Sequence, residues 1–149
     1  VSGVTPVFND RAATSEIEVS AVIPAYNDRA ALETAIPGSL EALGRFAPSF
    51  ELIIAEDGST DGTPDLVRAM NRADPRIRLL HSDERLGRGR ALNRAFGEAR
   101  GSIVCYYDAD LATDLRHLGE LIGAIRAGAD IATGSRLLPS SDVERTGER

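Results

Sequence analysis

From Ile17 onward the chain alternates between two hydrophobic rhythms. Short apolar runs of strand length are each followed by a polar or glycine-bearing turn, and then by apolar residues spaced three or four apart, the mark of repeated strand–helix units. The first run, Glu18 to Ile23, is predicted as a strand ended by Pro24, which cannot donate to a sheet ladder. Asn27 or Asp28 then caps a helix reaching about Phe46, with Leu32, Ile36, Leu40 and Leu43 on one face and a kink or break at Pro37-Gly38. Phe50 to Ala55 is the second strand, after which Thr63-Pro64 opens a helix holding Leu66, Val67 and Met70. Ile77 to Leu80 is a short third strand, followed by Leu86-Gly87-Arg88-Gly89 and a helix through Leu92, Ala95, Phe96 and Ala99. Ser102 to Tyr107 is the fourth strand, Thr113 or Asp114 caps a helix with Leu115, Leu118, Ile122 and Ile125, and Asp130 to Thr133 is predicted as a fifth strand.

Residues 1–16 show neither period and read as a tail or lead-in, while Gly134 to Arg149 is polar and arginine-bearing without a further core element. The pattern predicts one α/β layer with a mostly parallel central sheet flanked by helices. Right-handed crossovers would then bring every strand-to-helix loop to the same edge of that sheet.

At 149 residues the chain has the length of one domain, and 42% hydrophobic with 27% charged residues is a globular balance. Acidic residues outnumber basic ones 23 to 17, for a net charge of -6, so the basic footprint of a nucleic-acid binder is absent. All of the basic residues are arginine, which we read as genomic background. The single cysteine, Cys105, excludes an intramolecular disulfide and a cysteine-based zinc site, and a reducing, cytoplasmic setting is expected. No apolar stretch approaches the ~20 residues of a membrane span, and the start lacks a secretory-signal pattern.

The polar residues after the strands carry the candidate chemistry. They are Pro24-Ala25-Tyr26-Asn27-Asp28, Glu56-Asp57-Gly58-Ser59, Asp108-Ala109-Asp110 and Gly134-Ser135-Arg136. Carboxylates gathered at one edge repel each other unless a cation or hydrogen-bond donors lie between them. Asp108 and Asp110, flanking small Ala109, can reach a divalent ion while backbone approaches a substrate. Hard oxygen ligands select Mg2+ or Mn2+, and magnesium sites commonly combine one or two carboxylates with substrate phosphates. An acid-X-acid triplet after a strand is also what a solvated turn looks like. Asp57 can accept hydrogen bonds from a base or ribose and Tyr26 can offer a ring face, yet Asp-Gly-Ser-Thr-Asp-Gly equally describes a tight turn. Arg88 precedes a helix N-terminus, where backbone N–H groups favour an anion, though short glycine-rich turns are common without one. No Walker motif is present and no Gly-x-Gly-x-x-Gly follows the first strand, which disfavours P-loop hydrolysis and a standard dinucleotide fold. His81 and His117, without an acidic partner at ligand spacing, are expected at the surface or at a helix cap, and Cys105 is expected to pack as a small hydrophobe.

Taken in order, these residues resemble the family-2 glycosyltransferases of the GT-A (Rossmann-like) fold. Val22-Ile23-Pro24-Ala25-Tyr26-Asn27 is similar to the family's first strand and nucleotide loop, Glu56-Asp57-Gly58-Ser59-Thr60-Asp61-Gly62-Thr63 to its second, and Tyr107-Asp108-Ala109-Asp110-Leu111 to its Asp-X-Asp motif. Asp-Ala-Asp-Leu followed by Gly134-Ser135-Arg136 is further similar to the polyprenyl-phosphate (dolichyl-phosphate) mannosyl- and glucosyltransferases.

The resemblance implies an inverting, divalent-metal-dependent transfer of a hexose from a nucleotide-diphosphate sugar, GDP-mannose or a UDP-hexose, to a polyprenyl phosphate at the cytosolic membrane face. It implies that Pro24, Ala25, Tyr26, Asp28, Asp57, Arg88 and Ala109 line the nucleotide-sugar site. Asp108 and Asp110 would hold ribose, diphosphate and Mg2+ or Mn2+, Ser135 and Arg136 would meet the acceptor phosphate, and Asp110 and Arg136 would carry catalysis. Such an acceptor is already ionised and needs charge neutralisation and alignment rather than a strong base. A saccharide acceptor, for which Asp142 and Glu144 are the available carboxylates, and a nucleotide-sugar-binding domain without turnover are the alternatives. Glu56 stands where the family commonly has aspartate, and Arg88 where lysine is frequent. Residues 17–136 are expected to form the nucleotide-sugar-binding core and residues 137–149 the start of an acceptor-side region. Truncation there would remove further acceptor-side chain and any peripheral membrane contact made by it.

Overall fold

The computed structural model describes residues 16–110 and 114–134. Their order is β1 (Val19–Ala25), α1 (Arg29–Phe46), β2 (Phe50–Glu56), α2 (Thr63–Ala73), β3 (Ile77–Leu80), α3 (Arg88–Glu98), β4 (Ile103–Tyr106), a 3-10 turn (Leu115–His117) and α4 (Leu118–Arg126). The strands form one parallel sheet in the order β3-β2-β1-β4. Val19 lies beside Phe50 on one flank and Ile103 on the other.

The two central strands, VSAVIPA and FELIIAE, are buried almost throughout, because helices cover both faces. One face carries Val19, Ala21, Ile23, Leu52 and Ile54 beneath α1, α2 and α4; the other carries Val22, Ile53 and Ala55 beneath Ala91, Ala95 and Ala99 around α3. Alternation of side chains along a strand produces this split. On α1, fully buried Leu32, Ile36 and Leu43 recur at helical spacing, each contributing roughly 1.5–3 kcal/mol of burial.

Three local expectations differ from the structure. Pro24 does not end β1, which runs to Ala25. The Val22 carbonyl on the β4 side is taken by the Tyr107 N–H, and β4 stops at Tyr106, so the donor that Pro24 lacks has no acceptor waiting there. Pro37 lies inside α1, which continues unbroken for 18 residues. The carbonyl that loses its partner belongs to exposed Glu33 and is open to solvent, and the apolar stripe holds the helix on both sides. Asp130 to Thr133 forms no strand: its one large apolar side chain, Ile131, is 85% exposed and no partner strand among the described residues lies alongside it. Asp114 caps the 3-10 turn Leu115–His117, its side chain accepting the Arg116 N–H, whereas α4 itself starts three residues later than expected, at Leu118, without a side-chain cap. No helix among the described residues is long and apolar enough to cross a membrane.

Candidate functional site

The chain leaves β1 to build β2 and β3 on one side, then returns to lay β4 on the other. The order therefore reverses between β1 and β4, and a crevice opens above their carboxyl ends, where open α/β sheets bind ligands. A cleft of about 390 Å³ occupies this place, lined by Pro24, Ala25, Tyr26, Asp28, Ala55, Asp57, Arg85, Arg88, Ala91, Asp108, Ala109 and Asp110. The structure thus brings together Pro24, Ala25, Tyr26, Asp28, Asp57, Arg88, Asp108, Ala109 and Asp110, drawn from four separate loops. Ser135 and Arg136 lie outside the described residues, as do Leu111, Thr113, Asp142 and Glu144.

Each wall is held from behind by polar contacts. Asn27 turns the first loop at φ 53, a left-handed conformation that asparagine tolerates. Its N–H donates to Ser59 Oγ at 2.9 Å and its Oδ1 accepts the Thr60 N–H at 2.8 Å, which ties the first loop to the second. Asp28 occupies the N-cap position of α1, but its carboxylate accepts the backbone N–H of Tyr26 at 2.9 Å instead of a helix amide. The cap comes from the neighbouring loop: Asp61 accepts the Arg29 N–H at 3.0 Å together with the hydroxyl and N–H of Thr63. Burial works against the charge of Asp61, yet the Thr63 hydroxyl and the Arg29 and Thr63 amides outweigh it and hold this carboxyl below its ordinary range.

Asp57 is 4% exposed, and its two oxygens accept the N–H groups of Leu86 and Gly87, both at 2.8 Å. Its first task is therefore to fix the loop that enters α3. Gly58 makes this approach feasible. Its φ is +75, and a Cβ there would stand 2.7 Å from the Arg85 nitrogen. The loop so fixed delivers two cations to the cleft. The Arg85 guanidinium lies 3.8 Å above the centre of the Tyr26 ring, stacked on the face expected to be open. Arg88, the first residue of α3, pairs with Asp108 at 2.5 Å across the cleft, with both side chains about half exposed.

Asp108 and Asp110 leave the end of β4 into the same cleft. Among the described residues no three His, Cys, Asp or Glu side chains converge to hold an ion on their own. Two carboxylates open to solvent and joined by substrate phosphate oxygens is the donor set that suits Mg2+ or Mn2+, so the residues present fit such an ion. Cys105 packs against the core, and burial pushes its thiol up to about 12, which leaves it inert as a nucleophile.

His81 corrects an expectation. Its Nδ1 faces Glu56 Oε2 and its Nε2 lies 3.2 Å from Asp83 Oδ1, so it has acidic partners on both sides; the Glu56 partner comes from the end of β2 and is invisible to sequence spacing. His117 stays near the surface, 3.3 Å from Glu120. Arg85 lines the cleft in addition to the residues the motifs predict. Its signal in the chain is the basic cluster Arg85, Arg88 and Arg90 around a glycine turn.

Comparison with known proteins points in one direction. The sequence profile described as Glycosyl transferase family 2 matches residues 20–149. The chain is 48% identical over 141 residues to glycosyltransferase AglD of Haloferax volcanii, covering 93% of this chain and 23% of that protein. It is 32% identical over 144 residues to the dolichol-phosphate mannosyltransferase of Pyrococcus furiosus, covering 97% of this chain and 35% of that one. Among solved structures it is similar to the mannosyltransferase PcManGT from Pyrobaculum calidifontis in complex with GDP-Man and Mn2+, with a TM-score of 0.57, 29% identity, and coverage of 65% of this chain and 31% of that chain. The chain thus spans about a quarter to a third of the length of these relatives.

Proposed function

The chain belongs to glycosyl transferase family 2, with the GT-A fold, and from that premise we propose that its cleft binds a nucleotide-diphosphate sugar whose hexose passes, with inversion, to a polyprenyl phosphate. The observation that carries the reading is the meeting of Tyr26, Asp57, Arg88, Asp108 and Asp110, from separate loops, in one cleft at the reversal of strand order. The similarity to the Pyrococcus furiosus dolichol-phosphate mannosyltransferase supports the acceptor class, and the GDP-Man and Mn2+ complex of the Pyrobaculum enzyme supports the donor class.

Each residue has a physical task in this reading. The base enters beside Tyr26, where Arg85 supplies a second flat, cationic surface. Asp57 holds the Leu86–Gly87 loop so that the start of α3, with its unpaired backbone N–H groups, and Arg88 face the phosphates. Asp108 and Asp110 would hold Mg2+ or Mn2+, which when bound neutralises charge on the departing diphosphate. Arg88 exchanges its pairing with Asp108 for one with a phosphate, and the arginine fork matches either geometry. Arg136 and Ser135 are assigned to the acceptor phosphate. Because that nucleophile is already ionised, the chain has only to align it and offset its charge.

Calorimetry with GDP and UDP, each with Mn2+, followed by transfer of radiolabelled sugar from GDP-mannose or a UDP-hexose, tests this. Binding of one nucleotide and label in an organic-extractable product are expected. Label confined to water-soluble glycan would replace the polyprenyl acceptor with a saccharide, and binding of neither nucleotide would overturn the site.

A further inference from the structure

We propose that His81 is a positioning residue for the nucleotide: through buried Glu56 it sets the second loop, and through that loop the placement of Tyr26 and Asp28. This inference rests on the reading of the cleft given above. Glu56 is fully buried at the end of β2, one residue before Asp57. A carboxylate removed from water requires donors on both oxygens. One oxygen accepts the Ser59 N–H and the other faces His81 Nδ1. Facing a buried carboxylate, Nδ1 is the ring nitrogen that carries a proton.

The contacts form one relay. Ser59, whose N–H is held by Glu56, accepts the Asn27 N–H with its hydroxyl, and Asn27 in turn accepts the Thr60 N–H. Asn27 lies between Tyr26 and Asp28, the two first-loop residues that line the cleft, and its left-handed turn directs the chain between them. His81 is itself anchored. Arg94 of α3 donates to the carbonyls of Leu80 at 3.0 Å, His81 at 3.1 Å and Glu56 at 3.4 Å, locking the ends of β2 and β3 together. Asp83 Oδ1 lies 3.2 Å from the far ring nitrogen. The imidazole therefore bridges a fixed strand end and the buried carboxylate that holds the Ser59 N–H, without lining the cleft.

Asparagine and glutamine at this position separate positioning from bulk. The amide nitrogen of asparagine falls near Nδ1 of histidine, whereas that of glutamine falls near Nε2. His81→Asn is expected to keep Mn2+-supported affinity for GDP or UDP within about threefold of the parent, while His81→Gln and His81→Ala weaken it about tenfold. Amide exchange in the ligand-free protein should accelerate at Asn27, Ser59 and Thr60 in His81→Gln and stay slow in His81→Asn. Combining His81→Gln with Asn27→Gly, which removes Oδ1 while tolerating the positive φ, should cost little more than the worse single change, because both act on one relay. Equal affinities for the asparagine and glutamine variants, multiplicative losses in the double variant, or unchanged exchange would overturn the proposal. Should His81→Ala fail to fold, the asparagine–glutamine contrast decides. If the parent protein bound neither nucleotide, the reading of the cleft would fall, and the exchange measurement would still decide this inference.

Discussion

The two ends of the sheet use the same residue types to opposite effect. At the amino ends of the strands, Glu51 is 2% exposed and fully satisfied: it accepts from Ser20 Oγ at 2.6 Å, the Arg100 N–H at 2.8 Å and the Arg78 guanidinium at 2.7 Å. Ser20 also accepts the Gly101 N–H at 2.8 Å, and a Cβ on Gly101 would stand 2.5 Å from the Ser20 nitrogen, so the chain itself seals this end. At the carboxyl ends, Asp108 and Arg88 are about half exposed and meet across an open cleft. An acid paired with an arginine is therefore no sign of function by itself. The closed pairing serves the fold, whereas an open one leaves capacity for a ligand.

The contrast can be broken most forcefully at the closed end. Glu51→Ala should destabilise the fold by about 3–5 kcal/mol in urea unfolding, since it breaks the buried pairing with Arg78 and takes the acceptor from the Ser20 hydroxyl and the Arg100 amide, while nucleotide affinity of the folded protein stays within about twofold. A cost like that of a surface substitution would erase the distinction between the ends. Asp57→Ala should do the reverse. Calorimetry is expected to show nucleotide binding down about a hundredfold, with a stability loss of only about 1–2 kcal/mol from the released Leu86 and Gly87 amides.

Smaller effects sharpen the comparison. Asp110→Ala should reduce nucleotide affinity in Mn2+ about tenfold, to the level of the parent protein in EDTA, with the urea midpoint unchanged. Arg88→Ala should split in sign: nucleotide binding weakens, whereas Mn2+ alone binds up to about threefold more tightly because Asp108 is released from a half-exposed pair of small intrinsic worth. Manganese EPR titration reads that second arm, and weaker Mn2+ binding would contradict the exchange of partners.

The closed end also has a pH signature. Burial pushes the Glu51 carboxyl up, but the Ser20 hydroxyl, the Arg100 amide and the Arg78 charge outweigh it, so its folded-state value lies below the ordinary 4.5. The unfolded chain then binds the proton first as pH falls. The stability this group supplies is whole above about 4.5 and fades as pH drops through the lower, folded value. Acid titration of the urea midpoint should be shallower in Glu51→Gln, and an identical slope would remove Glu51 from the account.

Much of this was legible in the chain. The strand and helix rhythm placed the four strands within a residue or two, and the polar groups following them named most of the cleft. What stayed hidden depends on partners distant in sequence. Asp57 meets Leu86 and Gly87 about thirty residues on, Glu56 meets His81, and Arg88 meets Asp108. None of these pairs leaves a periodic trace. Glu51 did leave one: an acid inside an otherwise apolar strand must find donors or it would not be tolerated there. Pro37 and Asp130 to Thr133 mark the limits of local rules, since packing carried a helix through proline and the lack of a pairing partner left a strand-like sequence unpaired.

Because every described strand runs the same way, the segments that line the cleft and those that close the foundation lie at opposite poles of the domain. A loop at one pole can be lengthened, shortened or rewritten without renegotiating the other. Divergence toward new donors or acceptors is thereby channelled into a few stretches of chain, and the architecture beneath them inherits little of the cost.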